Sequence, residues 1–320
     1  MKILVPQEVL LDGVQPLIEK GAEIIRCENN EESLIMAIGD CDAVLARTEI
    51  YSRKVLEHAK KLKILARYGV GTEKIDMKAA NDLGIWVSNT PFALTNAVAE
   101  HVVLLLLSVA KNMRFCDKNL RKGDFSCRST LGMELLGKTI GIIGFGQIGK
   151  AVAQKCKAGL GMNVVAYDPY IQEETKEDNV TIVSQLQDLL AESDIVTIHL
   201  PLMPSTKGFA NRAFFHAMKD GAIFINAARG GVVEEPALIE ALKSGKLFGA
   251  GLDCFSSEPL PLDNPLYQLD TVVMTPHNAS ATKDSFLRCS SDMGKCVMDV
   301  LLDGKRPRFA VNNPQQPRIG

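Results

Sequence analysis

The run TIGIIGFGQIGKAVAQ at residues 139–154 limits the possible folds more than any other stretch of the chain. A β-prone apolar segment leads straight into Gly144, Gly146 and Gly149, and a helical pattern begins at once behind them. Glycines at this spacing permit a tight strand-to-helix turn, bring backbone amides close to a ligand and let the helix settle on the strand. The helix N-terminus adds unpaired N–H groups and a positive dipole end, so the turn suits a pyrophosphate. A packing turn also uses such a triplet, and the next strand narrows the choice. NVVAYD ends in Asp168, 19 residues beyond Gly149, close to the roughly 20 expected of a carboxylate that accepts hydrogen bonds from an adenosine ribose. A carboxylate there repels a 2′-phosphate, which favours NAD over NADP.

A whole α/β series precedes this loop. KILVPQ, EIIRC, DAVLAR, LKILARYG and GIWVSN read as strands, with VQPLIEKG, ESLIMAIGD and SRKVLEHAKK as helices between them. A second series, KTIGIIGF, NVVAYD, DIVTIHLP, AIFINAAR, GAGLD and TVVMTPH, is spaced by helical patterns such as SQLQDLLAESD and EPALIEALKSG. This alternation implies parallel strands joined by helical crossovers. The expected fold is therefore α/β, with two doubly wound parallel-sheet domains, and 320 residues suffice for two such cores at about 150 residues each. Helical runs at 96–112 and 281–302 are expected to cross between the domains. They divide the chain into 1–97 plus 287–320 and 98–286, with a ligand cleft between the two.

Bulk properties exclude several classes of partner. A formal charge of −2 provides no basic field for nucleic acid or an anionic membrane, so an anionic ligand must be held by a few placed groups. VVLLLLSVA at 102–110 falls far short of the ~20 residues that span a bilayer, and a helix buried on all sides is expected there. The opening MKILVPQEV has too short an apolar run for a signal peptide. Eight cysteines show neither C-x-x-C nor metal-ligand spacing. They read as buried thiols of a reducing cytoplasm, with no metal site expected.

Behind the glycine loop come HLPLMPSTKGFAN, FINAARGGVVEEPALIEALKSGKLFGAGLDCFSSEPLP and TVVMTPHNASAT. With them the chain resembles the D-isomer-specific 2-hydroxyacid dehydrogenase family over essentially its full length, and most closely its phosphoglycerate dehydrogenase and hydroxypyruvate reductase branch. The resemblance implies a flavodoxin-like substrate-binding domain, a Rossmann NAD-binding domain, and a homodimer formed through the latter. It implies hydride transfer between NAD(H) and a small 2-hydroxy or 2-oxo acid. Position by position, it places Arg229, Glu258 and His277 as catalytic. Gln147 and Ile148 fall at pyrophosphate contacts and Asp168 at the ribose acceptor, while Leu200, Thr206, Ala227, Ala228, Asp253 and Ala279 line the dinucleotide site. Val70 and Gly71, in ARYGVGTEKID, match a loop whose amides receive the substrate carboxylate. Glu73 and Lys74 depart from the Asp and Asn common there, and HNAS follows Pro276 where a glycine is frequent after the histidine. The end of the chain at Gly320 is expected to leave no room for the regulatory domain carried by some of those enzymes.

The chemistry of the residues agrees with that resemblance. Reducing a 2-oxo acid requires a proton at the carbonyl oxygen as hydride reaches carbon, and histidine is the side chain suited to give and take it near neutrality. Glu258 can hold the other imidazole nitrogen. Arg229, delivered by the strand AIFINAAR to its own tip, can grip a carboxylate with its planar fork and polarise the adjacent carbonyl. Arg47 and Arg67 each end a strand of the first series, where ligands of open α/β sheets bind. Two further arginines suggest a substrate with a second anionic group, such as 3-phosphoglycerate; pairing with Glu49 or Glu73 on the surface is the plainer alternative. A simple hydroxypyruvate or glyoxylate reductase and an NAD-binding co-repressor are the rival functions. Formate oxidation is disfavoured because Glu258 is acidic where that branch resembles a glutamine.

Overall fold

The computed structural model describes residues 1–171, 175–177 and 180–318. The chain divides into two compact units, Met1–Leu94 with Ala281–Gly320, and Thr95–Ser280. No helix among the described residues is long and apolar enough to cross a membrane.

The first unit carries five parallel strands, β1 (Lys2–Leu4), β2 (Glu23–Ile25), β3 (Ala43–Ala46), β4 (Ile64–Arg67) and β5 (Trp86–Ser88), in the order β2-β1-β3-β4-β5. That is the flavodoxin-like order. The helices between them are short: α1 (Gln15–Ile18), α2 (Glu31–Ile38), α3 (Arg53–His58) and α4 (Met77–Asp82). Asn30, Ser52 and Asp76 cap the last three, each accepting from the backbone N–H three residues on, which fixes where each helix begins. β3 is buried along its whole length because helices cover both faces of a parallel sheet. The later helix α11 (Lys283–Leu301) packs its Cys289, Met293, Cys296, Val297 and Val300 into the same core.

The second unit opens with α5 (Thr95–Ala110) and α6 (Met113–Leu120). Its strands are β6 (Thr139–Ile143), β7 (Asn163–Tyr167), β8 (Thr175–Glu177), β9 (Val180–Ile182), β10 (Ile195–Ile198), β11 (Ala222–Asn226), β12 (Leu247–Leu252) and β13 (Val272–Met274). They line up as β13-β12-β11-β10-β6-β7-β9-β8, all parallel except the antiparallel edge strand β8. The order reverses between β6 and β10, the switch point of a Rossmann sheet. The helices α7 (Gln147–Leu160), α8 (Leu186–Glu192), α9 (Arg212–Ala217) and α10 (Glu235–Lys243) make the crossovers. Small residues bring α5 onto the sheet: a Cβ on Gly251 would stand 2.8 Å from Leu105 Cβ, and one on Gly249 would stand 2.8 Å from Val109 Cγ1.

Three expectations need correction. The helix at 102–110 is not buried on all sides, since Leu104 is 54% exposed while Val102, Leu105 and Leu106 are fully buried. The strands β8 and β9 were not anticipated, because each spans only three residues, too short for an alternating pattern to stand out. The cysteines are all free thiols, but only Cys41, Cys156, Cys254, Cys289 and Cys296 are buried; Cys27, Cys116 and Cys127 are partly exposed.

Candidate active site

Gly144 takes φ +90, and a Cβ there would press within 2.9 Å of the His199 carbonyl oxygen. A Cβ on Gly149 would come within 2.3 Å of the Gly144 carbonyl oxygen, so α7 meets its own turn at a distance only glycine allows. Gly146 differs: a Cβ there would meet nothing within 4 Å. It is the N-cap of α7 and offers no side-chain cap, so the first amides of the helix at Gln147 and Ile148 face an open cradle. That donor set fits a pyrophosphate. Asp168, just past β7, is fixed by accepting the N–H of Phe145 at 2.9 Å and of Tyr170 at 3.0 Å. Two carboxylate oxygens retain acceptor capacity beyond these bonds, as a ribose diol requires. Leu200 and Thr206 are buried behind β10, and the Thr206 hydroxyl accepts the Met203 N–H at 2.8 Å. The residues at this edge therefore suit a dinucleotide.

Arg229 follows β11, Glu258 lies in the segment after β12, and His277 follows β13, so all three come from the carboxyl ends of neighbouring strands. His277 Nδ1 lies 2.7 Å from Glu258 Oε2, with both side chains part-exposed at 45% and 38%. Glu258 Oε1 accepts the Phe255 N–H at 3.1 Å. Burial works against the charge of Glu258, but the bonds from His277 and Phe255 and the charges of His277 and Arg229 outweigh it and hold the carboxyl below its ordinary value. An ionised carboxylate only accepts, so Nδ1 carries the hydrogen and Nε2 is the nitrogen left to exchange a proton. Arg229 donates Nη1 to the Ala228 carbonyl at 2.8 Å, which turns its fork at the strand tip.

His277 sits at φ 51, a left-handed backbone that is costly for a residue with a Cβ. Asp253, fully buried, explains how it is held. Its Oδ1 accepts the Asn278 N–H at 2.9 Å and the Thr275 hydroxyl at 2.6 Å, and its Oδ2 accepts the Ala279 N–H at 2.9 Å. His101 of α5 extends the network with Nε2 at 2.8 Å from Thr275 Oγ1. Thr275 and His101 were not singled out from sequence; a histidine inside an apolar helical run was the available signal. Ala227 and Ala228 stand between β11 and Arg229, and the Ala228 N–H is fixed by Asn226 Oδ1 at 3.0 Å. Cys254, Glu258 and His277 offer ligand atoms within 4.8 Å of one another, the compact donor cluster among the described residues. Burial, then the charges of Asp253 and Glu258, push the Cys254 thiol up, which opposes the thiolate a metal prefers.

In the first unit, Ala46 pairs with Arg67 across β3 and β4, so Arg47 and Arg67 emerge side by side at the carboxyl edge of that sheet. The Arg47 guanidinium lies 5.5 Å from the Tyr68 ring centroid and 5.2 Å from that of Phe286, with Nη1 donating to the Glu8 carbonyl at 3.1 Å. Glu49 does not pair with the Arg47 side chain; its Oε2 accepts the Arg47 backbone N–H at 2.7 Å. The amides of Val70 and Gly71 find no acceptor among the described residues, while the loop itself is tied by Asn89 Nδ2 to the Val70 carbonyl and by the Gly69 N–H to Thr90 Oγ1. A loop with free amides is a cradle for an anion.

Several known proteins are similar to this chain in sequence or fold. Residues 103–279 match the D-isomer specific 2-hydroxyacid dehydrogenase, NAD binding domain. The chain is 38% identical to the D-3-phosphoglycerate dehydrogenase of Archaeoglobus fulgidus across 98% of its own length, and spans 60% of that protein. It is also 38% identical to a glyoxylate reductase of Korarchaeum cryptofilum, covering 88% of this chain and 85% of that one. The crystal structure of a protein from Thermus thermophilus superimposes with a TM-score of 0.90 at 36% identity, over 97% of this chain and all of the other. The chain belongs to the D-isomer-specific 2-hydroxyacid dehydrogenase family.

Proposed function

We propose that the protein interconverts a D-2-hydroxy acid and its 2-oxo acid with NAD(H), and that its substrate bears a second anionic group, as 3-phosphoglycerate does. The observation that carries the reading is the His277–Glu258 pair at the carboxyl edge of the sheet that also presents Arg229. When bound, the cofactor supplies or accepts hydride at the substrate carbon. Gln147, Ile148 and Asp168 hold it, with Leu200, Thr206, Ala227, Ala228, Asp253 and Ala279 along its length. His277 Nε2 gives its proton to the carbonyl oxygen during reduction and takes it back during oxidation. Glu258 fixes the tautomer and stabilises the imidazolium that forms on oxidation. Arg229 binds the carboxylate in two places and draws electron density from the carbonyl.

Arg47 and Arg67 support the dianionic reading. Packed against two aromatic faces, Arg47 is oriented before any ligand arrives, and one carbonyl contact leaves donors of its fork for an anion. The relative named glyoxylate reductase favours a second reading, a reductase of simple 2-oxo acids. Arg47→Ala separates the two. If Arg47 binds a distal phosphate or carboxylate, the variant loses about 1.5–3 kcal/mol toward 3-phosphohydroxypyruvate, seen as a higher KM, and little toward glyoxylate. Equal losses for both substrates would sink the dianionic reading. Free cysteines throughout support a reducing, cytoplasmic setting. Exposed Leu104, Met113, Leu120, Phe125, Leu131 and Leu136 between residues 104 and 136 support a homodimer formed through this unit, which light scattering checks.

A further inference from the structure

The segment that carries Glu258 has little regular structure of its own, and the residues that hold it lie at the start of α10. A Cβ on Gly230 would fall 1.9 Å from the backbone carbonyl of Phe255, so that backbone rests directly on the residue after Arg229. Five residues further on, Glu235 reaches across. Its Oε2 accepts the Ser256 hydroxyl at 2.7 Å and the Ser256 N–H at 3.4 Å, and its Oε1 accepts Asn264 Nδ2 at 2.6 Å. Asn264 in turn accepts the Leu266 N–H at 2.9 Å and starts the short turn Pro265–Gln268. One carboxylate thus ties down both ends of the stretch 256–264, and Glu258 lies inside it. Phe255, whose N–H holds Glu258, is the residue next to the tied Ser256.

We infer that Glu235 is a positioning residue for the reaction proposed above, setting Glu258 against His277 Nδ1 without touching substrate or cofactor. The inference rests on that reading of the His277–Glu258 pair. Its chemistry suits the task, since an ionised carboxylate accepts several hydrogen bonds at once and each charge-assisted bond is stronger than a neutral one. A position at the first turn of α10 also places the charge where the helix dipole favours it. The Glu235 carboxylate lines a surface hollow with Arg212, Glu234, Pro236, Glu240 and Ser256, and neither His277 nor Arg229 is part of that lining. A change there reaches the His277–Glu258 contact through the 256–264 segment that Glu235 ties down.

The test is Glu235→Ala, Glu258→Gln and their double variant, with Glu235→Gln as the conservative control, each checked for NADH affinity and thermal unfolding. Glu235→Ala should lower kcat by roughly 10- to 100-fold, the scale of an ångström-sized misplacement, with KM and NADH affinity near wild type. The double variant should be no slower than Glu258→Gln alone, because both changes act on one contact. Glu235→Gln, which keeps an acceptor for Asn264 and a group for Ser256, should recover most of the rate. Proton NMR titration of the His277 ring reads the same contact without turnover, and its midpoint should move in Glu235→Ala toward that of Glu258→Gln. An unmoved midpoint, or rate losses that multiply in the double variant, would overturn the inference. A wild-type protein with no oxidoreductase activity but with a midpoint that moves would instead remove the proposed function and leave the clamp.

Discussion

Two glycines of one loop should respond to the same methyl group in opposite ways. Gly149→Ala places a Cβ 2.3 Å from the Gly144 carbonyl oxygen and 3.2 Å from Ile142 Cγ2, well inside the ~3.5–4.0 Å of ordinary contact. Neither the turn nor the strand can retreat, so the overlap should cost about 3 kcal/mol, at the upper end of the overpacking range. At roughly 2–4 °C per kcal/mol for a unit of this size, the melting temperature should fall by about 6–12 °C. Gly146→Ala meets nothing within 4 Å, and the φ of −77 and ψ of −164 are open to alanine. Its unfolding should stay within about 0.5 kcal/mol of wild type. If a pyrophosphate occupies that open space at the start of α7, the methyl would crowd it against the amides of Gln147 and Ile148. Losing one charged hydrogen bond, about 1.5–3 kcal/mol, should raise the NADH Kd roughly 10- to 150-fold. Fluorescence titration with NADH and thermal melts of both variants decide the matter. If Gly146→Ala binds NADH as tightly as wild type, the loop is not a pyrophosphate cradle; if Gly149→Ala melts like wild type, the close approach of α7 is misread.

His277→Ala should lower turnover by roughly 100- to 10,000-fold, as for a lost general acid, while NADH affinity in the same titration stays near wild type; unchanged turnover would return this histidine to a structural role and favour a co-repressor. His199 makes stability depend on acid. Part of it stays accessible, yet burial of the ring pulls it from 6.5 down to about 4. The folded value lies below the unfolded one, so its contribution is fully present above pH 6.5 and is lost as pH falls toward 4, up to about 3 kcal/mol. Urea unfolding at pH 7 and pH 4.5 should therefore show a smaller difference in His199→Gln than in wild type, and an equal difference would refute the assignment.

Most of the candidate site was legible because parallel α/β sheets put function at one predictable place. The carboxyl end of a β-prone run is visible in sequence, and Gly144, Asp168, Arg229, Asp253 and His277 all lie within a few residues of such an end. What lay outside that rule was not readable. Glu235 and Asn264 act through side-chain bonds between segments 29 residues apart, and nothing in local periodicity reports a partner across a loop. Asp253 reads as a dinucleotide contact by resemblance, while the bonds its buried oxygens accept from the Thr275 hydroxyl and the amides of Asn278 and Ala279 had no signal in the sequence. A left-handed φ at His277 gives the reason: a backbone that costs energy persists only where neighbours over-determine it.

The order of the three candidate catalytic groups along the chain has a geometric cause. β11, β12 and β13 are adjacent in the sheet, with strand spacing of about 4.8 Å, so the segments that follow them open onto one short stretch of edge. Arg229 and His277 follow the outer two strands closely, three residues past each strand end, and are therefore placed by the sheet itself. Glu258 follows the middle strand by six residues, since β12 ends at Leu252. That length gives it the reach to accept from His277 on one side while its charge still feels Arg229 on the other. The same length leaves its position undetermined by the strand. The contact of Phe255 on Gly230 and the bonds of Glu235 to Ser256 and Asn264 fall on the part of the chain where β12 no longer dictates geometry. The group that must sit between two partners is the one that depends on a clamp.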